Sequence, residues 1–139
     1  MALMIIPIVS LTAMIEVSAS NNYESQITYT GTSPGESIFK KYCVTCHQAD
    51  AGGVPNLTPP LIKTTYVLGD KERLIKIILN GFNENIEIEG EYFSNPMPAL
   101  NILKDQEIAD VLTYVRNNFG NKASAVSASE VKAVRDKIK

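Results

Sequence analysis

The chain has 139 residues, of which 45% are hydrophobic and 20% are charged. This composition is typical of one folded domain with flexible ends rather than of a disordered chain. The formal net charge is −2, and the basic residues are scattered between Lys40 and Lys139 without forming a block. The sequence therefore predicts no nucleic-acid partner.

Residues 1–19 have the pattern of a targeting segment. Leu3 to Ile15 is mostly apolar, and Val17-Ser18-Ala19 has the small-residue pattern of a signal-peptidase site, which predicts cleavage after Ala19. The usual basic start is missing, since the first Lys or Arg is Lys40, so an uncleaved membrane anchor stays open. As an anchor the run is short, because Ala2 to Val17 has 16 residues and a bilayer needs roughly 20. We expect an exported, periplasmic or otherwise extracytoplasmic protein, with membrane contact only if this segment is retained.

The next stretch predicts a linker, a helix and a loop. Residues 20–32 are polar and lack an apolar period, which indicates a linker. Ser33, Pro34 and Glu36 then form a helix-start signal, which predicts a helix from Pro34 to about Tyr42. Residues 51–61 contain two Gly and three Pro, so we expect an extended loop there.

The middle of the chain predicts one more helix and a small hairpin. Asp70 is a plausible N-cap for a helix over residues 71–80, which Gly81 would close in the left-handed αL conformation. Alternation around Gly90 in residues 86–93 indicates a small hairpin or an extended loop. Two prolines exclude residues 95–98 from a helix interior.

The last third predicts two helices. Lys104 to Phe119 has apolar residues at helical spacing and is closed by Gly120. Ser127 opens a shorter amphipathic helix within a C-terminal tail, residues 122–139, whose apolar stripe is Val131, Val134 and Ile138. That stripe packs either on its own domain or on a larger complex. The elements together predict a small all-α fold of about four to five helices with long loops.

Both cysteines and the single histidine lie within five positions, Cys43-Val44-Thr45-Cys46-His47. The pattern C-x-x-C-H is the attachment sequence for c-type haem. Two thiols three positions apart can each add to one of the two vinyl groups on the same porphyrin edge. The adjacent His47 is then placed to give the iron an axial imidazole nitrogen. The motif therefore predicts one covalently bound haem c.

Other chemistries fit the motif less well. A structural zinc site needs four Cys or His ligands, whereas the chain has three in total. A redox C-x-x-C needs a strand–turn–helix context, but here a helix is predicted before the motif and a Gly/Pro loop after it. A disulfide between Cys43 and Cys46 would close a very tight ring.

Met97 is the candidate for a second axial ligand. The other methionines, Met1, Met4 and Met14, lie in the targeting segment, and Met97 is flanked by Pro96 and Pro98. A methionine is normally core filler, but the two prolines indicate a held loop. Since the chain has no second histidine, His/Met ligation is predicted, and a thioether ligand raises the reduction potential.

With these motifs, residues 33–121 resemble a class I cytochrome c module. Gly35 and Phe39 match its first helix, where the glycine permits close crossing of the last helix; here Val111 or Leu112 and Tyr114 would be opposite. The family's Pro-x-Leu pattern matches Pro59-Pro60-Leu61, which implies that the Pro59 carbonyl accepts a hydrogen bond from His47. Pro55-Asn56-Leu57 also fits the pattern, so this assignment stays open. The family places its ligand methionine just before the last helix, where Met97 stands.

The resemblance implies an apolar haem pocket. We expect it to be lined by Leu61, Leu74, Ile78, Phe82, Phe93, Leu100 and Leu112. Tyr66 and Arg73 either bond a propionate or lie on the surface. The acidic run is either a solvated face or a surface that steers a basic partner; it comprises Glu84, Glu87, Glu89 and Glu91.

The resemblance implies a one-electron carrier of a bacterial respiratory chain rather than an enzyme. The stretch from Lys104 to Asn121 is similar to modules that accompany bacterial dehydrogenases and nitrite reductases. Redox partners implied in this way are a dehydrogenase, a nitrite reductase, a terminal oxidase or another cytochrome. Two alternatives stay open: a haem sensor or peroxidase-like protein with a labile Met97, and a docking subunit of a larger dehydrogenase or nitrite reductase complex.

Overall fold

The computed structural model describes residues 31–85 and 87–138. The helices are α1 (Pro34–Tyr42), α2 (Val44–His47), α3 (Thr65–Leu68), α4 (Lys71–Asn80), α5 (Asp105–Asn117) and α6 (Ala128–Ile138). The strands β1 (Glu87–Ile88) and β2 (Glu91–Tyr92) form one antiparallel hairpin. The prediction of an all-α fold is confirmed, and α2 and α3 are single turns beyond the longer predicted helices.

The targeting segment predicted for residues 1–19 lies outside the described residues. Within residues 31–85 and 87–138, no helix is long and apolar enough to span a bilayer.

The predicted start signals of α1 and α4 are present. The Ser33 hydroxyl accepts a hydrogen bond from the Glu36 amide at 3.2 Å, and an Asp70 carboxylate oxygen accepts one from the Glu72 amide at 2.6 Å. Each bond satisfies one of the amide groups that lack a partner in the first turn of a helix. Both helices therefore begin where the caps predict.

Two helix ends differ from the prediction. The helix α5 ends at Asn117 rather than Phe119, because Asn118 is already extended, with φ −122° and ψ −179°. Gly81 after α4 has φ 75° and ψ −174°, which is not αL but a region that is essentially confined to glycine. From Gly81 the chain passes directly into a backbone bridge between Phe82 and Met97, so it leaves α4 extended instead of curling back over its end.

The helices α1 and α5 cross at Gly35. A Cβ atom placed on Gly35 would overlap the Asp110 carbonyl oxygen and lie 2.7 Å from the Tyr114 Cβ. One turn on, Phe39 is 2% exposed, and its ring centroid lies 5.7 Å from that of Tyr114 and 5.2 Å from that of Phe119. The crossing therefore depends on a missing side chain followed by an aromatic cluster.

The helix α6 packs on α4 and α5. Val131 is 0% and Val134 4% exposed, and both belong to one buried cluster with Leu79 and Ile108. Of the two interpretations of the α6 stripe, packing on its own domain is the one that the structure shows for these valines. Ile138, at the end of the stripe, is exposed.

We predict that Gly35→Ala lowers the free energy of unfolding by about 1–3 kcal/mol, because the added methyl forces α1 away from α5. Ser37→Ala is the control, since Ser37 is exposed on the same helix and its replacement should change stability by less than about 0.5 kcal/mol. Urea unfolding of the two variants checks this. Equal stability of the two variants would show that the close crossing contributes nothing.

A second prediction concerns the start of α6. The Glu130 carboxylate accepts hydrogen bonds from the Ser127 amide, the Lys71 ammonium and the Ser127 hydroxyl, which lower the pKa of Glu130 from 4.5 to about 2. Because the folded pKa is depressed, the stabilisation is present above pH 4.5 and is lost as the pH falls towards 2. Glu130→Gln should cost about 1 kcal/mol at pH 7, and the difference from the unsubstituted protein should shrink below pH 4.5. Urea unfolding at pH 7, 4 and 2.5 measures it; a difference independent of pH would contradict the assignment.

Candidate haem-binding site

A cavity of about 430 Å³ lies between α1, the loop after α2, α4, the hairpin and α5. All seven apolar residues expected to line a haem pocket line this cavity: Leu61, Leu74, Ile78, Phe82, Phe93, Leu100 and Leu112. Among the predicted site residues, Cys43, Cys46, His47, Pro59, Tyr66 and Met97 line it as well. The fold therefore brings thiols, an imidazole and a thioether from separate parts of the chain to one apolar space.

The single turn of α2 presents the motif as a group. The amides of Cys46 and His47 both donate to the Cys43 carbonyl, at 3.2 and 2.9 Å. Positions i, i+3 and i+4 of a helical turn face the same side, so Cys43, Cys46 and His47 all reach the cavity. The turn ends at Gln48, whose φ is 66°.

The two thiols have different surroundings. Cys46 is exposed, whereas Cys43 is partly buried, and the structure does not join them in a disulfide. Burial, with a smaller contribution from Cys46, raises the pKa of Cys43 to about 11. Burial of the Cys43 side chain therefore distinguishes it from the exposed Cys46.

His47 is held in one orientation. Its Nδ1 lies 3.0 Å from the Pro59 carbonyl oxygen, and because a carbonyl only accepts, Nδ1 carries the proton and Nε2 keeps its lone pair. Burial lowers the pKa of His47, against the opposing effect of the Pro59 hydrogen bond. The ring is therefore neutral at pH 7, as a metal ligand must be. Of the two prolines considered, the structure places Pro59 on the imidazole.

Met97 lies in a segment fixed by backbone hydrogen bonds. Met97 and Phe82 exchange N–H···O bonds of 2.8 and 2.9 Å. The Asn95 amide donates to the Leu57 carbonyl at 2.9 Å, and the Asn95 side chain donates to the Thr58 hydroxyl at 3.3 Å. The segment that carries Met97 is thus joined directly to the loop that orients His47.

Tyr66 and Arg73 are placed differently. Tyr66 lines the cavity, 6.3 Å from the Phe82 ring centroid. Arg73 does not line it: its guanidinium lies 4.1 Å from the Tyr66 ring centroid and donates to the Thr65 carbonyl at 3.0 Å. The structure therefore brings Arg73 to the outer side of Tyr66 rather than to the cavity wall.

One of the four glutamates of the acidic run lies at the cavity wall. Glu84 lines the cavity and the other three glutamates lie exposed on the hairpin. The Glu89 carboxylate accepts a hydrogen bond from the Thr65 amide at 2.6 Å, which lowers the pKa of Glu89. This contact ties the hairpin to the start of α3.

Two buried polar residues of the site have no motif in the sequence. Arg116 is 2% exposed, lines the cavity and donates to the carbonyls of Val67, Gly69 and Ser124. Asn121 is 3% exposed; its amide donates to the Leu61 and Val115 carbonyls, and its oxygen accepts from the Lys63 amide. Both satisfy backbone groups beside the cavity. The only sequence signal for Arg116 is a charge at an apolar position of α5.

The donor set of the cavity fits haem c. Two thiols are available for thioether bonds, one neutral imidazole and one thioether sulfur face the same space, and the remaining wall is mainly apolar. The zinc alternative lacks support, because among residues 31–85 and 87–138 no group of three His, Cys, Asp or Glu side chains is arranged to hold a metal ion.

Comparison with known proteins agrees with the geometry. The profile of the family described as Cytochrome c matches residues 32–119. The chain is 33% identical over 112 residues to cytochrome c-552 of Thermus thermophilus, covering 74% of this chain and 85% of that protein. It is 35% identical over 124 residues to the fructose dehydrogenase cytochrome subunit of Gluconobacter japonicus, covering 86% of this chain and 25% of that subunit. The cytochrome c subunit of the alcohol dehydrogenase (quinone) of Komagataeibacter europaeus is 32% identical over 112 residues, covering 77% of this chain and 23% of that subunit.

The chain is a haem protein of the electron-transfer class. It belongs to the cytochrome c family, whose members hold covalently attached haem c and exchange electrons with redox partners. The predicted cofactor and the prediction of an electron carrier rather than an enzyme are confirmed at this level. The chain spans only about a quarter of the length of the dehydrogenase subunits that it matches.

Gly81 gives a test of how tightly the Met97 segment is packed. A Cβ on Gly81 would lie 2.5 Å from the Met97 carbonyl oxygen and 2.8 Å from the Ala99 amide nitrogen. Gly81→Ala should lower the free energy of unfolding by about 3 kcal/mol, from overlap and backbone strain together. Urea unfolding measures the loss.

Gly90→Ala is the matched control. Gly90 also has a positive φ, 86°, but a Cβ there would meet no atom within 4 Å. Its substitution should cost about 1 kcal/mol, from strain alone. An equal loss in both variants would show that the approach of Gly81 to the Met97 segment does not matter.

Proposed function

We propose that the protein carries single electrons by means of one haem c attached through Cys43 and Cys46, with His47 and Met97 as the two axial ligands. The observation that supports this is that all four side chains line one cavity, with His47 oriented by the Pro59 carbonyl at 3.0 Å. Haem c supplies the one-electron iron couple. The chain supplies attachment, orientation and exclusion of water.

The axial ligands set the direction of the redox tuning. A thioether stabilises the ferrous state more than a second imidazole does, so Met97 would raise the reduction potential. The hydrogen bond from His47 to Pro59 fixes the tautomer and the ring plane of the other ligand. The two segments that would hold the iron are fixed by hydrogen bonds of their own, which would help both to keep their positions in either oxidation state.

The domain arrangement and location are part of the proposal. A targeting segment at residues 1–19 exports the chain to the periplasm or another extracytoplasmic space, and residues 20–32 link it to a cytochrome c domain at 33–121 and a tail at 122–139.

The proposed partners are electron-transfer proteins. The similarity to cytochrome subunits of fructose and alcohol dehydrogenases favours a dehydrogenase as the electron donor, and a nitrite reductase, a terminal oxidase or another cytochrome is a suitable acceptor. The same similarity supports a second candidate, a cytochrome subunit docked on a dehydrogenase. Copurification with a dehydrogenase would favour the subunit, and a monomeric redox-active protein the free carrier.

Met97→Ala tests the ligation. We expect the unsubstituted ferric protein to show the weak far-red sulfur-to-iron band and the ferrous protein a low-spin α-band. The variant should lose the far-red band, bind carbon monoxide, and have a reduction potential lower by on the order of 0.1 V. A visible spectrum combined with a redox titration measures all of these.

The contrasting function is an open-iron sensor or peroxidase-like protein. Tight carbon monoxide binding by the unsubstituted protein at neutral pH would contradict the carrier with a closed iron. A Cys46→Ser variant, matured with the haem-attachment machinery, should keep one thioether link. Two remaining links would contradict the attachment assignment.

A further inference from the structure

We propose that α6 is a clamp on the Met97 segment and that Arg135 is the positioning residue through which it acts. The proposal rests on Met97 being the axial ligand. The helix α6 lies outside residues 32–119, the part that matches the cytochrome c family. It nevertheless makes direct contacts with the loop that follows Met97.

Arg135 binds that loop at two points and the first turn of α5 at a third. Its Nε donates to an Asp105 carboxylate oxygen at 2.7 Å, its Nη1 to the Asn101 carbonyl at 3.1 Å and its Nη2 to the Leu103 carbonyl at 2.7 Å. The Arg135 side chain is 23% and that of Asp105 30% exposed, so this contact is partly shielded from water. One guanidinium thus joins α6 to the loop and to the first turn of α5.

The loop continues from Met97 with few residues between the ligand and the clamp. The Leu100 amide donates to the Ile78 carbonyl at 2.7 Å, and the Leu103 amide donates to the Leu100 carbonyl at 3.0 Å. Leu103 is 4% exposed in the cluster that contains Val131 and Val134. The bridge to Phe82 holds the segment at Met97 itself, and Arg135 holds it downstream.

The helix is fixed well enough to act as a support. Val131 and Val134 are buried against α4 and α5. Glu130 pairs with Lys71 at 2.9 Å, and Lys137 pairs with Glu72 at 3.3 Å. Arg135 therefore projects from a helix that is anchored on both sides of its position.

The clamp predicts a measurable population shift. An added ligand such as imidazole reaches the iron only when the Met97 segment opens, so its apparent affinity is proportional to the open fraction. Loss of Arg135 removes bonds that exist in the closed segment. It should therefore raise imidazole affinity without any change in the residues that line the cavity.

The experiment uses the complete ferric holoprotein at pH 7. Imidazole is titrated while loss of the far-red band is followed, for the unsubstituted protein, Arg135→Ala and Arg135→Lys. We expect roughly a tenfold higher imidazole affinity for Arg135→Ala. Arg135→Lys keeps the positive charge but not the planar guanidinium with its several donors. Its imidazole affinity should therefore rise less, in the same direction. It also keeps the test available if Arg135→Ala does not fold.

Two control variants separate the clamp from general loosening. Lys137→Gln removes an ion pair from the same helix without touching the loop, and should change imidazole affinity by less than about twofold. Val134→Ala weakens the packing of α6, and urea unfolding gives its stability. At equal loss of stability, Arg135→Ala should raise imidazole affinity more than Val134→Ala does. Amide hydrogen exchange at Leu103 should also be faster in Arg135→Ala.

The outcomes are distinct. If the unsubstituted protein lacks the far-red band, the ligation by Met97 is wrong, and the clamp is wrong with it. If the band is present but both Arg135 variants bind imidazole as the unsubstituted protein does, only the clamp is overturned. A rise in affinity that follows urea stability equally in Val134→Ala and Arg135→Ala also overturns it.

Discussion

The site depends on the joining of two loops that are distant in the sequence. His47 is oriented by the Pro59 carbonyl, and Met97 lies in a segment whose neighbours bond to residues 56–58. These bonds connect the loop that supports His47 directly to the segment that carries Met97. The spacing between an imidazole and a thioether is therefore set by a local backbone contact rather than by the packing of whole helices. A substitution that displaces the backbone of either loop should therefore displace the other loop as well.

The apolar packing of the domain also converges on the cavity. The described fold has two clusters of buried apolar residues, one containing Leu74 and Leu112 and the other containing Val67 and Val115. All four of these residues also line the cavity, so the cavity is where the two clusters meet. A small domain has little core to spare. A porphyrin in this space would bury the walls of both clusters at once, which makes the cofactor part of the core.

Much of this arrangement could be predicted from local patterns. The useful patterns all involve residues that are close in the sequence. They are the motif at residues 43–47, the caps at Ser33 and Asp70 and the prolines that flank Met97. The sequence does not predict the structural roles of Arg116, Asn121 and Arg135. Each of these side chains donates to carbonyl groups of segments that only the tertiary fold brings near. Every residue has a backbone carbonyl, so no sequence pattern marks one of them as a hydrogen-bond partner. Gly81 was identified as a helix end, but its close approach to Met97 was not predictable for the same reason.

The hydrogen bonds that hold the Met97 segment bear on the choice between an electron carrier and an open-iron protein. A sensor or peroxidase needs a coordination position that opens easily, and therefore a ligand segment with few bonds to lose. Here the segment is held at Met97 by Phe82, upstream by residues 56–58, at Leu100 by Ile78 and downstream by Arg135. An opening that displaces the backbone of this segment breaks several of these bonds together, each worth about 0.5–1.5 kcal/mol. With His47 and Met97 as the proposed ligands, these bonds would favour a closed iron, and an iron that keeps both ligands in each oxidation state is suited to passing electrons rather than binding substrates.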